Sequence, residues 1–219
     1  MPPRGTPESK ALEWCVGIDI GAVSATASVL ALSQSESGGE KAPAGFTLLR
    51  EFPGERRVYI SEYRRTRGKP LAAATALLEQ IISAVGAQNV RGVVLTGSGA
   101  QAVARKLQAP VINEFRTIAA GLQALEIHAA CVFEMGGEAS KYLQLDTGRE
   151  GGIVDYSTNG DCAAGTGSFI DQQAGRLRYR VEEIGNVCAE ADRSAQIAGR
   201  CSVFAKSDMI HAQQKGYSP

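Results

Sequence analysis

The residues best suited to chemistry cluster in the stretch Asn159-Gly160-Asp161-Cys162-Ala163-Ala164-Gly165-Thr166-Gly167-Ser168-Phe169. A cysteine stands just ahead of a Gly-Thr-Gly turn, and the pattern that follows predicts a helix over 168–177. Backbone N–H groups at such a turn and helix start can cradle an anion. The same partial positive charge favours the thiolate of a nearby cysteine. One short segment could therefore serve a phosphate and a soft metal centre together.

Two further candidates share a pattern. In Cys15-Val16-Gly17-Ile18-Asp19-Ile20-Gly21 an apolar strand ends in a carboxylate and a glycine turn, with Ser24 a few residues on. Asp19 could hold Mg²⁺ through water while N–H groups at Gly21 meet a phosphate. In Glu134-Met135-Gly136-Gly137-Glu138-Ala139-Ser140-Lys141 the acid, the glycines and a following strand recur. Gly136 and Gly137 allow close approach to a phosphate, Glu134 takes the place of Asp19, and Lys141 is a phosphate partner or a solvated strand residue. Each motif alone also reads as an ordinary hairpin with a capping acid. Two in series resemble a two-sided phosphate clamp.

The five cysteines, Cys15, Cys131, Cys162, Cys188 and Cys201, form no CxxC pair. In a reducing compartment they are free thiols or metal ligands. Cys162 and Cys201 each precede a predicted helix in a polar neighbourhood, but two thiolates do not complete a four-ligand site, and they lie too far apart for one local knuckle. On residue chemistry alone, buried inert thiols remain the simpler reading. Cys15, Cys131 and Cys188 read as core. His128 and His211 have no spacing that suggests a catalytic pair.

The elements that must position these groups follow from periodicity. Strands are predicted over 15–20, 26–32, 46–52, 90–96, 129–134, 141–145 and 151–157. Helices are predicted over 71–85, 100–107, 114–125, 168–177, 181–190 and 201–214. In the helix at 71–85, Leu77, Leu78, Ile81, Ile82 and Val85 fall on one side. Residues 1–13 read as a tail, 33–44 as a hairpin tip or loop, and the basic run from Arg56 to Lys69 as a solvated face or flexible segment. The plan is α/β, with a first lobe over 14–126 and a second over 127–219, because the strand–acid–Gly–strand unit at 18–32 echoes at 132–145.

Composition narrows the class. Lys+Arg and Asp+Glu are both 23, and 44% of the 219 residues are hydrophobic. Such a balance gives no nucleic-acid surface and no polybasic membrane patch. No apolar run reaches the roughly 18 residues of a membrane span, and 1–10 lack a signal-peptide h-region. A soluble, cytoplasmic protein is expected.

Taken together, Gly17-Ile18-Asp19-Ile20-Gly21, Leu95-Thr96-Gly97-Ser98-Gly99, Met135-Gly136-Gly137-Glu138-Ala139-Ser140-Lys141, Asp161-Cys162-Ala163-Ala164-Gly165-Thr166-Gly167 and Cys201-Ser202-Val203-Phe204-Ala205-Lys206-Ser207 resemble the ATPase activators of 2-hydroxyacyl-CoA dehydratases and the related benzoyl-CoA reductase ATPase subunits. The resemblance implies an actin/Hsp70-like ATPase fold with a ribonuclease-H-like unit in each lobe, the second lobe incomplete. It implies a homodimer sharing one [4Fe–4S] cluster, with Cys162 and Cys201 matching the ligand positions. ATP hydrolysis would drive low-potential electrons, from a donor such as ferredoxin or flavodoxin, to an acyl-CoA dehydratase or reductase component. Asp19 and Glu134 would then serve Mg²⁺ and the attacking water, and Gly21, Ser24, Gly136, Gly137, Glu138, Lys141, Gly165, Thr166 and Gly167 would line the nucleotide.

The sequence departs from that pattern in three places. The first loop commonly reads Gly-Ser-Thr-Thr-x-Lys, whereas here it is Gly21-Ala22-Val23-Ser24-Ala25-Thr26. Glu134 and Glu138 stand where Asp and Gln are frequent, as in long fused members of the family. The chain also stops ahead of the Gly-Gly segment that closes over adenosine, which is expected of an N-terminal fragment. The rival readings are a sugar- or acid-kinase-like phosphotransferase and a degenerate iron–sulfur module that no longer hydrolyses ATP.

Overall fold

The computed structural model describes residues 13–32, 42–53, 56–146, 148, 152–159 and 166–218. The expected tail over 1–12, the greater part of the expected hairpin tip (33–41), and the segment 160–165 with Cys162 and Gly165 lie outside the described residues. The chain divides into two compact units, one ending at Ile127 and the other beginning at His128.

In the first unit, β1 (Trp14–Ile20) and β2 (Ser24–Ala31) form an antiparallel hairpin. Their alternation decides the burial. Trp14, Val16, Ile18 and Ile20 on β1 and Ala25, Ala27, Val29 and Ala31 on β2 are all buried, while Asp19 and Ser28 on the opposite face are exposed. A period of two places these sets on opposite faces of the sheet. Next come β3 (Phe46–Glu51), β4 (Arg57–Ser61), the two-residue β5 (Arg64–Arg65), helix α1 (Pro70–Val85) and β6 (Val90–Thr96). The strand order is β3-β4-β2-β1-β6, with β5 pairing β2, and β6 runs parallel to β1.

Helix α1 starts at Pro70, where the missing N–H removes no helical bond, and covers the apolar face. Ala73, Ala74, Leu77, Ile81 and Val85 are buried, and Leu78 packs at the edge of the same cluster. Ile82, grouped with them by periodicity, is 38% exposed. Helix α2 (Ala100–Leu107) adds Ala100 and Val103 to the core, and α3 (Glu114–Ala124) is capped by Asn113, whose side chain accepts from the Phe115 N–H at 3.0 Å. Arg50 on β3 bonds the Leu125 carbonyl and pairs with Glu126, fixing the end of α3.

The basic stretch was expected to be a solvated or flexible segment; instead it contains two strands. Tyr59 is buried beside Trp14, with ring centroids 5.9 Å apart, and buried Ser61 accepts the Ala27 N–H at 2.9 Å. Arg57 is held by Glu51 at 2.7 Å, and that hydrogen bond is the first cause of its raised pKa.

In the second unit, β7 (Cys131–Met135), β8 (Ser140–Leu145) and β9 (Ile153–Thr158) form an antiparallel sheet in that order. Leu143 is its most buried residue. Three helices follow: α4 (Gly167–Leu177), α5 (Ile184–Glu190), preceded by a 3₁₀ turn, and α6 (Ser202–Gln214). No helix among the described residues is long and apolar enough to cross a membrane.

Candidate functional site

The two acid–Gly hairpins have the same internal geometry. In the first, Asp19 faces Thr26 across the strands and Gly21 N–H donates to Ser24 O at 2.8 Å. In the second, Glu134 faces Lys141 and Gly136 N–H donates to Ala139 O, also at 2.8 Å. Each acid therefore sits two residues before its turn glycine. Thr26 and Lys141 hold equivalent places on the returning strands.

The acids differ in their surroundings. Asp19 is exposed at the end of β1, in register with Thr96 of β6, over the turn that leads into α2. Gly97 in that turn has φ +96°, and a Cβ there would lie 2.4 Å from both Asp19 Oδ1 and the Ile20 carbonyl. Gly99 N–H then donates to Ile20 O at 2.7 Å, closing β6 onto the end of β1. Glu134 lies across its own turn: a Cβ on Gly136 would be 2.9 Å from Glu134 Oε1. Lys141 Nζ bonds Glu134 Oε2 at 2.7 Å, with the lysine side chain 10% exposed and the glutamate 35%. This pair keeps the lysine stem packed and the carboxylate at the surface of the turn.

The second hairpin also carries the helix start. Gly167 N–H donates to Gly136 O at 3.0 Å and Ser168 N–H to Gly137 O at 2.8 Å. Two of the first amides of α4, expected to face an anion, thus dock the helix on the turn. Thr166, the N-cap residue, is 1% exposed. At the other end of the cysteine segment, Asn159 bonds the backbone of Ser140. Both flanks of residues 160–165 are therefore tied to the β7–β8 hairpin, one at Ser140 and one at the glycine pair. Glu138, at the tip, is exposed.

Cys201 is the N-cap of the 13-residue α6; its half-buried thiol makes no capping bond. The loop ahead of it is held by Asp208 of the same helix, whose Oδ2 accepts the Ala198 N–H at 3.0 Å. A cysteine sulfur is the soft donor that an iron–sulfur group takes, so Cys201 has the right chemistry for one ligand position. Among the described residues no three His, Cys, Asp or Glu converge on a metal-sized site. Helices α4 and α6 are linked where Arg176 Nη1 donates to Gln213 Oε1 at 2.7 Å, and Arg176 Nε donates to the buried Gln173 at 3.0 Å.

The other three cysteines, expected in the core, are none of them buried. Cys131 and Cys188 are exposed and Cys15 is half-buried, because each lies on the outward side of its strand or helix. Both histidines are exposed. The residue that motif reading passed over is Thr66. It is 3% exposed, its N–H bonds Val23 O at 2.9 Å, and its hydroxyl bonds Ala22 O at 2.7 Å. Its only sequence signal was a threonine inside the basic run.

With this geometry in place, likeness to known proteins can be stated. Residues 16–219 match the BadF/BadG/BcrA/BcrD ATPase family. The activator of lactoyl-CoA dehydratase from Anaerotignum propionicum is 34% identical over 107 residues, 49% of this chain and 40% of that protein. Component A of (R)-2-hydroxyglutaryl-CoA dehydratase from Acidaminococcus fermentans superposes with TM-score 0.70 at 19% identity, covering 94% of this chain and 70% of that one. The activator of 2-hydroxyisocaproyl-CoA dehydratase from Clostridium difficile, solved with bound ADPNP, gives 0.69 at 24% identity, covering 93% and 67%. The fold is the actin-like ATPase fold of those activators. The chain spans about half the length of the curated relatives it matches. The chain belongs to the BadF/BadG/BcrA/BcrD ATPase family.

Proposed function

We propose that this chain is the nucleotide-binding and cysteine-bearing part of an ATP-dependent activator that passes low-potential electrons to an acyl-CoA dehydratase or reductase component. The observation that carries it is the attachment of the cysteine segment, at Asn159 and at Gly167–Ser168, to the second acid–Gly hairpin. A nucleotide phosphate met by Gly136, Gly137, Glu138 and Lys141 would act on the same turn that holds both flanks of Cys162. Gly21 and Ser24 would serve a phosphate at the first turn, and Thr166 and Gly167 at the second, with the same role assigned to Gly165, which lies outside the described residues. Asp19 and Glu134 would orient the waters of Mg²⁺ and the attacking water, since a carboxylate at a strand end beside a glycine turn can accept their protons' hydrogen bonds.

Cys162 and Cys201 would hold one edge of a [4Fe–4S] cluster shared with a second copy of the chain. The group would supply reversible one-electron chemistry at low potential. The part played by this chain is positional: Asp208 holds the loop before Cys201, and Arg176 with Gln213 keeps α4 and α6 together. The electron donor would be a low-potential carrier of the ferredoxin or flavodoxin kind.

Anaerobic reconstitution with iron and sulfide tests this reading. A dimer with broad iron–sulfur absorption, lost on Cys162→Ala and on Cys201→Ala, is expected; a colourless, iron-free wild type would overturn it. A non-hydrolysing module is the second reading, favoured by Ala22 and Val23, which put no hydroxyl at the two central positions of the first turn. ATP binding without phosphate release would select it.

A further inference from the structure

We infer that Arg65 is the cationic anchor for a phosphate group at the first turn, a role no part of the acid–Gly motif assigns. The inference rests on the nucleotide reading above and adds a residue to it. Strand β5 pairs β2 in antiparallel register, Ser24 with Arg65 and Ala25 with Arg64. Directly opposed residues of such a pair share a face. Ala25 is buried in the core, and Arg64 bonds Gln80 of α1 at 3.2 Å, so this face is the one α1 covers. Arg65 therefore belongs to the other face, with Ser24, Thr26 and Asp19.

The turn is built to receive an anion beside that guanidinium. Thr66 fixes the end of β5 to the turn by bonding the carbonyls of Ala22 and Val23, which takes two acceptors out of the way. Among the described residues the amides of Ala22 and Val23 meet no acceptor. Successive turn amides form an anion-binding concavity. Comparison of the hairpins supplies the reason for a cation on β5. Lys141 stands at the place of Thr26, so the second hairpin carries its cation on the returning strand and the first does not. Arg65 lies one strand over, diagonal to Thr26, and its long fork can reach a phosphate by paired N–H donors.

Titration calorimetry on the chain tests this with Mg²⁺–ATP, tripolyphosphate and adenosine as probes. Arg65→Ala should weaken Mg²⁺–ATP and tripolyphosphate roughly tenfold or more, the loss of a charge-assisted hydrogen bond. Adenosine binding should not move. Arg65→Lys should restore part of the affinity, and Arg64→Ala should have no effect. Unchanged ATP affinity in Arg65→Ala, or equal losses for adenosine and ATP, would overturn the assignment. Arg65-dependent binding of tripolyphosphate with no gain from the nucleoside would keep the anion site and overturn the nucleotide reading. No binding of either polyphosphate by the wild-type chain would overturn both.

Discussion

Asn159 and Ser140 are joined by two hydrogen bonds: Asn159 N–H donates to Ser140 O at 3.0 Å, and Ser140 N–H donates to Asn159 Oδ1 at 2.8 Å. The side-chain bond continues the β8–β9 ladder one step past Thr158. It holds the start of the cysteine segment to β8, next to the β7–β8 turn. Asn159→Ala leaves the Ser140 N–H without its acceptor in a partly buried place. That should cost about 1–2 kcal/mol in urea unfolding and speed hydrogen exchange at Ser140. Asn159→Asp keeps an oxygen there and should recover most of both; an unchanged Ser140 exchange rate in the alanine variant would reject the anchor.

Gly97 joins the first acid to the turn after β6. Its φ of +96° is one that other residues rarely adopt, and a Cβ would meet the Ile20 carbonyl and Asp19 Oδ1 at 2.4 Å. A carbonyl at the end of a central strand cannot yield cheaply. Gly97→Ala should therefore destabilise by about 2 kcal/mol or more. It should also displace Asp19, so the Mg²⁺ dependence of ATP binding should weaken beyond what the stability loss explains. Wild-type melting and Mg²⁺ response in that variant would show that the turn tolerates a side chain.

Neighbouring isoleucines on α1 give a direct test of the core. Ile81 is fully buried and Ile82 is 38% exposed. Ile81→Ala should cost about 2–5 kcal/mol through lost transfer energy and the cavity left behind, and Ile82→Ala about 0.5 kcal/mol or less. Equal losses in denaturant unfolding would mean that the two faces of α1 are buried alike.

The two isoleucines also show how far the sequence could be read. Periodicity located α1 and Ile81, because a helix with an apolar stripe must bury that stripe. It could not set the width of the stripe, which depends on the curvature of the sheet beneath, and so it included Ile82. The acid–Gly hairpins were legible because each strand alternates and each turn is marked by glycine. β4 was hidden because the arginines around it dominate the stretch from Arg56 to Lys69, although Val58-Tyr59-Ile60 carries a β signal. Cys131 was placed in the core for its apolar neighbours. Phe133 and Met135, which share its face, are 70% and 77% exposed, and hydrophobicity does not say which face of a strand is covered. Thr66 was invisible for a different reason: its role depends on β5 returning to the turn at residues 22 and 23, a long-range pairing with no local signature.

The reactivity of Cys201 should depend on Asp208 even though the two side chains belong to different parts of α6. Asp208 accepts the Ala198 N–H and so holds the approach to the helix, while Cys201 begins that helix with its thiol making no capping bond. Asp208→Ala removes this hold on the loop ahead of α6 and lets the loop move away from the thiol. Alkylation followed residue by residue by mass spectrometry should then show Cys201 reacting several-fold faster, since access and not intrinsic nucleophilicity limits a half-buried thiol. Cys131 and Cys188 are already exposed and should react at their wild-type rates, serving as internal references. Asp208→Asn keeps an acceptor oxygen and should hold Cys201 near its original rate. A uniform acceleration at all three cysteines would instead indicate loss of the second unit's fold, and no change at Cys201 would show that the loop is held by other contacts.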